Sequence, residues 1–224
     1  MELLGGVALE ADLLQQLGEG TITKEQLLNS VERDFELLPI VMAGVSSSKA
    51  AIRYSCAKVL LDFSDKHPEQ LYPQIDFFVS LLDSKYRILV WNAVSAIANL
   101  CEVDVNKKFD AVFERYFALL ADPYLVTVAN VVGNSGKIAL SKPYLMSRIT
   151  NELLQVDKIA VTNHLTDECK RVIMEKAITA FEKYFDKMNS DDKAKVVSFV
   201  KKHVNSSRVS LAKKAELFLR RWSS

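Results

Sequence analysis

The sequence predicts an all-α fold, an α-solenoid of about five stacked antiparallel helix pairs, and three observations carry that prediction. Only seven Gly and five Pro punctuate 224 residues, too few for the tight turns that an all-β chain of this size requires. Apolar residues recur at helical spacing through most of the chain. One apolar pattern returns about every 37 residues, the mark of a repeat architecture in which no unit can bury its apolar face alone.

Residues 1–22 are expected to form an N-terminal cap segment and residues 23–224 a single repeat domain. The first periodic stretch, Leu27 to Ala43, follows Thr23 and Gln26 in capping-box spacing. The next, Ser48 to Ser64, places Ile52, Cys56, Val59, Leu60 and Phe63 on one stripe. A run of three serines precedes it as a potential cap, and Lys66, His67 and Pro68 close it. The pattern returns at Leu89, Ala93, Ala96, Ile97 and Leu100, 37 residues on when Cys56 is matched to Ala93. After Asp122-Pro123 it runs Leu125, Ala129, Val132, Gly133, a step of 36 from Ala93. A fourth copy, Ile173, Ala177, Ala180, Phe181, Tyr184, comes after a step of 48, and a fifth, Leu211, Ala215, Phe218, Leu219, after 38. Between the copies, Glu69 to Leu82, Lys107 to Leu120, Pro143 to Gln155 and Ser190 to Val204 supply the first helix of each pair. The long fourth step contains an insertion, Val156 to Thr166, too apolar for a flexible linker. It is expected to pack as a long turn, with a functional loop as the alternative.

The small-residue spacing of these copies, with Asp83 or Asp122-Pro123 at the turn, resembles the HEAT repeat within the HEAT and armadillo families, over roughly Thr23 to Trp222. The basic residue after the first apolar position is present as Arg53 and replaced by Val90, Val126 and Met174. The resemblance implies a non-enzymatic scaffold or adaptor that binds other proteins. The alternatives are a nucleic-acid-binding protein similar to the HEAT-like alkylpurine DNA glycosylases, or a regulatory subunit of an enzyme complex.

Catalysis, cofactor and metal binding are not expected. His67, His164 and His203 lie at helix ends or in the insertion, distant from any Cys at ligand spacing. Cys56, Cys101 and Cys169 read as buried small apolar residues of a reducing compartment. Gly133 to Lys137 lacks the spacing and preceding strand of a phosphate loop, so its glycines point to close packing or a break in the helix. The acidic N-terminus and the absence of a long apolar run make a cytoplasmic protein with no membrane partner the expectation.

The net charge of +1 is unevenly placed: two basic against eight acidic residues to Ser46, 12 against 10 to Ile149, and 15 against 10 thereafter. At 100° per residue, Lys213, Lys214, Arg220 and Arg221 share one face of the last helix around Leu217, away from the stripe of Leu211, Ala215, Phe218, Leu219 and Trp222. This face is the candidate site for a protein partner with an acidic surface. Near-neutral total charge and only two tryptophans, Trp91 and Trp222, with Trp91 expected inside an apolar helix, argue against a nucleic-acid partner.

Overall fold

A computed structural model describes residues 13–222, and among them there are helices and turns but no strand. The chain divides between Val103 and Asp104 into two compact units. In the first, residues 13–19 form helix α1, followed by α2 (Lys24–Arg33), α3 (Leu38–Gly44), α4 (Ala50–Lys66), α5 (Pro68–Leu71), α6 (Ile75–Leu81) and α7 (Arg87–Leu100). The second holds α8 (Lys108–Ala118), α9 (Leu125–Ser141), α10 (Met146–Leu154), α11 (Asp167–Glu182), α12 (Ser190–Lys201) and α13 (Val209–Trp222). Of the expected 1–22 cap, residues 1–12 lie outside the described residues.

Each repeat pairs a broken or short first helix with a long second one. The expected single helix from Leu27 to Ala43 is two, because Asp34 turns the backbone to an extended φ of −144° and caps the next turn through Glu36 N–H. Pro39 then opens α3. Pro73 and Pro143 start 3-10 turns in the same way, splitting Glu69–Leu82 and shortening the helix expected from Pro143. The capping box at Thr23 forms as expected, with Gln26 N–H on Thr23 Oγ1 at 3.1 Å and Thr23 N–H on Gln26 Oε1 at 2.8 Å.

The turns that launch the second helices repeat one device: a short polar side chain accepts the backbone N–H two residues on. Ser47 accepts from Lys49, Ser84 from Tyr86, Asp122 from Tyr124 and Ser206 from Arg208, at 2.9 to 3.2 Å. The serine run before α4 therefore acts in the turn, while the N-cap itself is Lys49, with no side-chain cap bond. Thr166 caps α11 directly. From start to start the second helices step by 37, 38, 42 and 42 residues. Counted from those starts, Cys56, Ala93 and Ala215 hold one place, Ala129 falls two residues before it and Ala177 four after it, which produces the expected steps of 36, 48 and 38.

In the first unit α4 packs on α2, α3 and α7, and α6 packs on α7. Cys56, Phe63, Ala93, Ala96 and Ile97 are wholly buried there. An added Cβ at Gly44 would sit 2.5 Å from Cys56 Sγ, so glycine is what lets α3 reach α4. Burial pushes the Cys56 thiol up to about 12. Asn99 Nδ2 donates to Ser64 Oγ at 2.9 Å, a buried polar pin between α7 and α4.

In the second unit α9, α11 and α13 pack in succession, and α10 packs on α9 and α12. Their apolar faces meet around Val132, Ile138, Ala177, Phe181 and Ala215, all buried. Helix α9 runs unbroken through its two glycines, which differ in role. A Cβ at Gly136 would lie 3.0 Å from the Ala180 carbonyl oxygen, whereas one at Gly133 would meet nothing within 4 Å. Asp104 holds the start of α8, accepting Lys108 N–H at 2.8 Å and Phe109 N–H at 3.0 Å. Lys142, just past α9, reaches the same buried carboxylate at 2.8 Å.

Two predictions follow from these contacts. Gly133→Ala stabilises by about 0.5 to 1 kcal/mol, the helix-propensity gain with no steric cost, while Gly136→Ala destabilises despite the same gain; urea unfolding of both variants checks the contrast. Lys142→Met leaves Asp104 buried without its cation and costs about 3 to 5 kcal/mol in the same assay.

Candidate functional site

Helix α13 turns Leu211, Ala215 and Phe218 inward and rests Trp222 on Phe185, ring centroids 5.1 Å apart. On its other side Lys213, Arg220 and Arg221 are exposed around Leu217, which is 50% exposed. The structure removes Lys214 from the expected face, because its ammonium pairs with Glu182 of α11 at 3.1 Å. The face also contains the exposed Glu216, and the Arg221 guanidinium lies 4.7 Å over the Trp222 ring, so it is a mixed arc of three exposed cations rather than a block of four.

Lys214 belongs to a seam that the sequence reading missed. Glu168, Glu175 and Glu182 recur every seven residues along α11, on nearly one azimuth. Arg208, entering α13, donates through Nε to Glu175 Oε2 at 2.8 Å and through Nη1 to Glu168. Ser210 Oγ adds a 2.7 Å bond to Glu175 Oε2. Hydrogen bonds from Arg171 and Arg208 hold the Glu168 carboxyl below its ordinary range. Burial pushes the Glu175 carboxyl up, but the bonds from Arg208 and Ser210 outweigh it and leave the group lowered. Arg208 is raised in turn, first by Glu175 and then by Glu168. The heptad of glutamates was visible in the sequence, but its partners lie 32 to 40 residues away.

The insertion does pack: Val156 and Leu165 are buried, and Thr162 and Leu165 exchange backbone hydrogen bonds. Together with the end of α8 it frames an apolar pocket of about 440 Å³. Its rim carries Glu152, whose carboxyl is raised by burial first and by Glu114 second. A second cleft of about 440 Å³ lies over Gly133, Val172, Lys176 and Thr179, beside Arg208.

The histidines stand apart. His67 caps α4 with its backbone N–H on Phe63 O, and its ring lies 4.9 Å from that of Phe63. His164, in the insertion, stacks on Tyr124 at 5.1 Å. Burial lowers the His203 pKa. Cys56 and Cys101 are buried as expected, but Cys169 is only half-buried in the first turn of α11, where its N–H bonds Thr166. Trp91 likewise is only half-buried. Among the described residues no three His, Cys, Asp or Glu side chains cluster as metal ligands, and no helix is long and apolar enough to cross a membrane.

Computationally designed armadillo repeat proteins for modular peptide recognition superpose with a TM-score of 0.64 at 17% identity, over 93% of this chain and 90% of theirs. The fold is an armadillo-like helical repeat. A designed armadillo repeat protein in complex with the peptide (KR)4 gives a TM-score of 0.62 at 17% identity, covering 94% of this chain and 90% of that one. No family model matches the chain. An uncharacterized protein of Methanocaldococcus jannaschii is 28% identical over 92 residues, 41% of this chain. The match spans 44% of that relative's length, less than half of it.

The seam between α11 and α13 gives a pH prediction. A carboxylate lowered in the folded state stabilises it above the unfolded value, here 4.5, and that contribution is lost as pH falls through the lowered folded value. Arg208→Gln is therefore less stable than wild type at neutral pH. The difference in thermal midpoint shrinks progressively below pH 4.5.

Proposed function

We propose that this chain is a non-enzymatic interaction scaffold, a single repeat array over residues 23–224, that binds a protein partner through an acidic segment. The observation that carries the reading is the outer arc of α13. There Lys213, Arg220 and Arg221 remain exposed around a half-exposed Leu217 after Arg208 and Lys214 have been consumed by glutamates of α11. Three cations around an apolar centre suit a segment with carboxylates flanking one large apolar side chain: the charges speed encounter and burial of Leu217 slows release.

The armadillo-like fold supports a scaffold role, since the neighbours described above include proteins made for peptide recognition. The sign of the partner's charge rests on this chain's own residues, because one of those neighbours is in complex with a basic peptide, (KR)4.

A fluorescein-labelled peptide of alternating Glu and Leu tests the reading. Binding to the full chain is expected at low salt and weakens as salt rises to physiological levels. The double variant Lys213→Glu, Arg221→Glu reduces affinity roughly tenfold or more, the effect of about 1.4 kcal/mol, without altering the melting curve. Lys214 is left intact because its reversal would set two glutamates against each other at Glu182. Equal affinity in wild type and the double variant would reject this face, and a shift of duplex DNA at physiological salt would favour a nucleic-acid partner instead.

A further inference from the structure

The turns that open α4 and α7 face one pocket of about 400 Å³ within the first unit. Ser46, Ser47 and Ser48 line it from before α4, Ser84 and Lys85 from before α7, and Arg53 from within α4. No carboxylate is in the lining. Over residues 45–53 and 81–89 the chain carries Lys49, Arg53, Lys85 and Arg87 against Asp83 alone.

Arg53 is the unusual member. It is only 6% exposed, yet every hydrogen bond it makes goes to a neutral group: Nη1 donates to Ser47 O at 2.8 Å and Ser48 O at 3.3 Å, and Nη2 to Tyr54 Oη at 3.4 Å. Its Nε–H has no partner, and the guanidinium lies over two rings, 4.7 Å from the Tyr54 centroid and 3.8 Å from that of Tyr86. These contacts fix a positive charge directly behind the serine turn. A buried charge is costly unless an opposite one stands near it. Among the described residues no carboxylate pairs with this guanidinium.

The groups in front of Arg53 set the chemistry of the ligand. Ser47 Oγ accepts Lys49 N–H and Ser84 Oγ accepts Tyr86 N–H, which leaves the hydroxyl protons to donate. None of the four serine hydroxyls donates to a partner among the described residues. Lys85 is exposed and its ammonium lies 5.1 Å over the Tyr86 ring, with no carboxylate paired to it. Neither α4 nor α7 has a side-chain cap at its start, so each keeps the partial positive charge of its first N–H groups. Two full and two partial positive charges, with hydroxyl donors between them, match a dianion that only accepts hydrogen bonds. A phosphate monoester brings close to two charges and three terminal oxygens, where a carboxylate brings one charge and two oxygens.

We propose that this pocket binds a phosphate monoester, its oxygens on Lys85 and the serine hydroxyls with the charge of Arg53 behind them. The site shares no residue with the α13 face, and the two can succeed or fail separately.

The test is isothermal titration of the full chain at constant ionic strength with glycerol 2-phosphate and with the peptide Gly-Gly-phosphoserine-Gly-Gly, two sources of the same group. Saturable binding with a Kd of about 1 mM or tighter is expected, and the tighter of the two identifies the source as a small ester or a phosphorylated side chain. Methyl sulfate, of similar shape with one charge, binds roughly tenfold more weakly. Lowering the pH from about 7 to about 5 weakens binding of the phosphate but not of the sulfate, because the monoester takes up a proton near pH 6. Arg53→Met weakens binding roughly tenfold, and should that variant melt early, Lys85→Gln reads the same loss from an exposed position. Ser48→Asp sets a carboxylate in the pocket, raises the thermal midpoint and abolishes binding. Lys213→Glu with Arg221→Glu leaves it unchanged. The proposal is overturned if neither ester saturates up to about 10 mM, if methyl sulfate binds as well as the esters, or if Lys85→Gln and Ser48→Asp both bind like wild type with native melting.

Discussion

In each unit one helix comes so near its neighbour that no side chain fits between them. At Gly44 the obstacle to a Cβ is the Cys56 sulfur, and at Gly136 it is the Ala180 backbone carbonyl. Much else depends on that spacing. Because α9 lies against α11 at Gly136, the polar outer edge of α11 is presented toward α13, and Glu175 and Glu182 can reach Arg208 and Lys214. A wider gap would leave the apolar residues around Ala177 and Phe181 in contact with water. At about 25 cal/mol per Å² that loss exceeds anything the exposed ion pairs return. The seam of charges therefore fixes register on a packing that the small residues make possible.

Buried polar groups set the remaining register. Asn99 on Ser64 ties α7 to α4, and Asp104 ties the first turn of α8 to the end of α9 through Lys142. Such groups cost free energy when unmatched, so they tolerate only the alignment in which each finds its partner. The polar turns at Ser47, Ser84, Asp122 and Ser206 do the same work locally, directing the chain into each second helix.

How much of this could be read beforehand follows from the range of the physics involved. The 3.6-residue period located every second helix, since amphipathicity is local, and Ala93 and Ala177 were correctly placed in the core. The broken first helices were not foreseen, because a proline inside an apolar run can either open a helix or merely bend the chain. Ala129 was matched two residues out of step, because α9 is buried on so many sides that apolar residues no longer mark one face; Ala129 is buried as expected, and Gly136 makes the close approach to α11. Lys214 was assigned to an open face by azimuth alone. Its azimuth was right, but a glutamate 32 residues earlier takes it, and no periodicity within one helix reports that. The insertion was legible as a departure from the repeat. Its pocket was not, because much of the lining, Phe117 to Pro123, comes from the end of α8 and the turn after it.

The uneven charge along the sequence therefore has two structural meanings. Part of the basic surplus at the C-terminal end is internal, matched against the glutamates of α11, and gives register but no field outside the molecule. What remains is the arc of Lys213, Arg220 and Arg221. Lengthening one turn by a few apolar residues, as here between α10 and α11, instead adds an apolar pocket beside the end of α8, a feature that no count of charges reports.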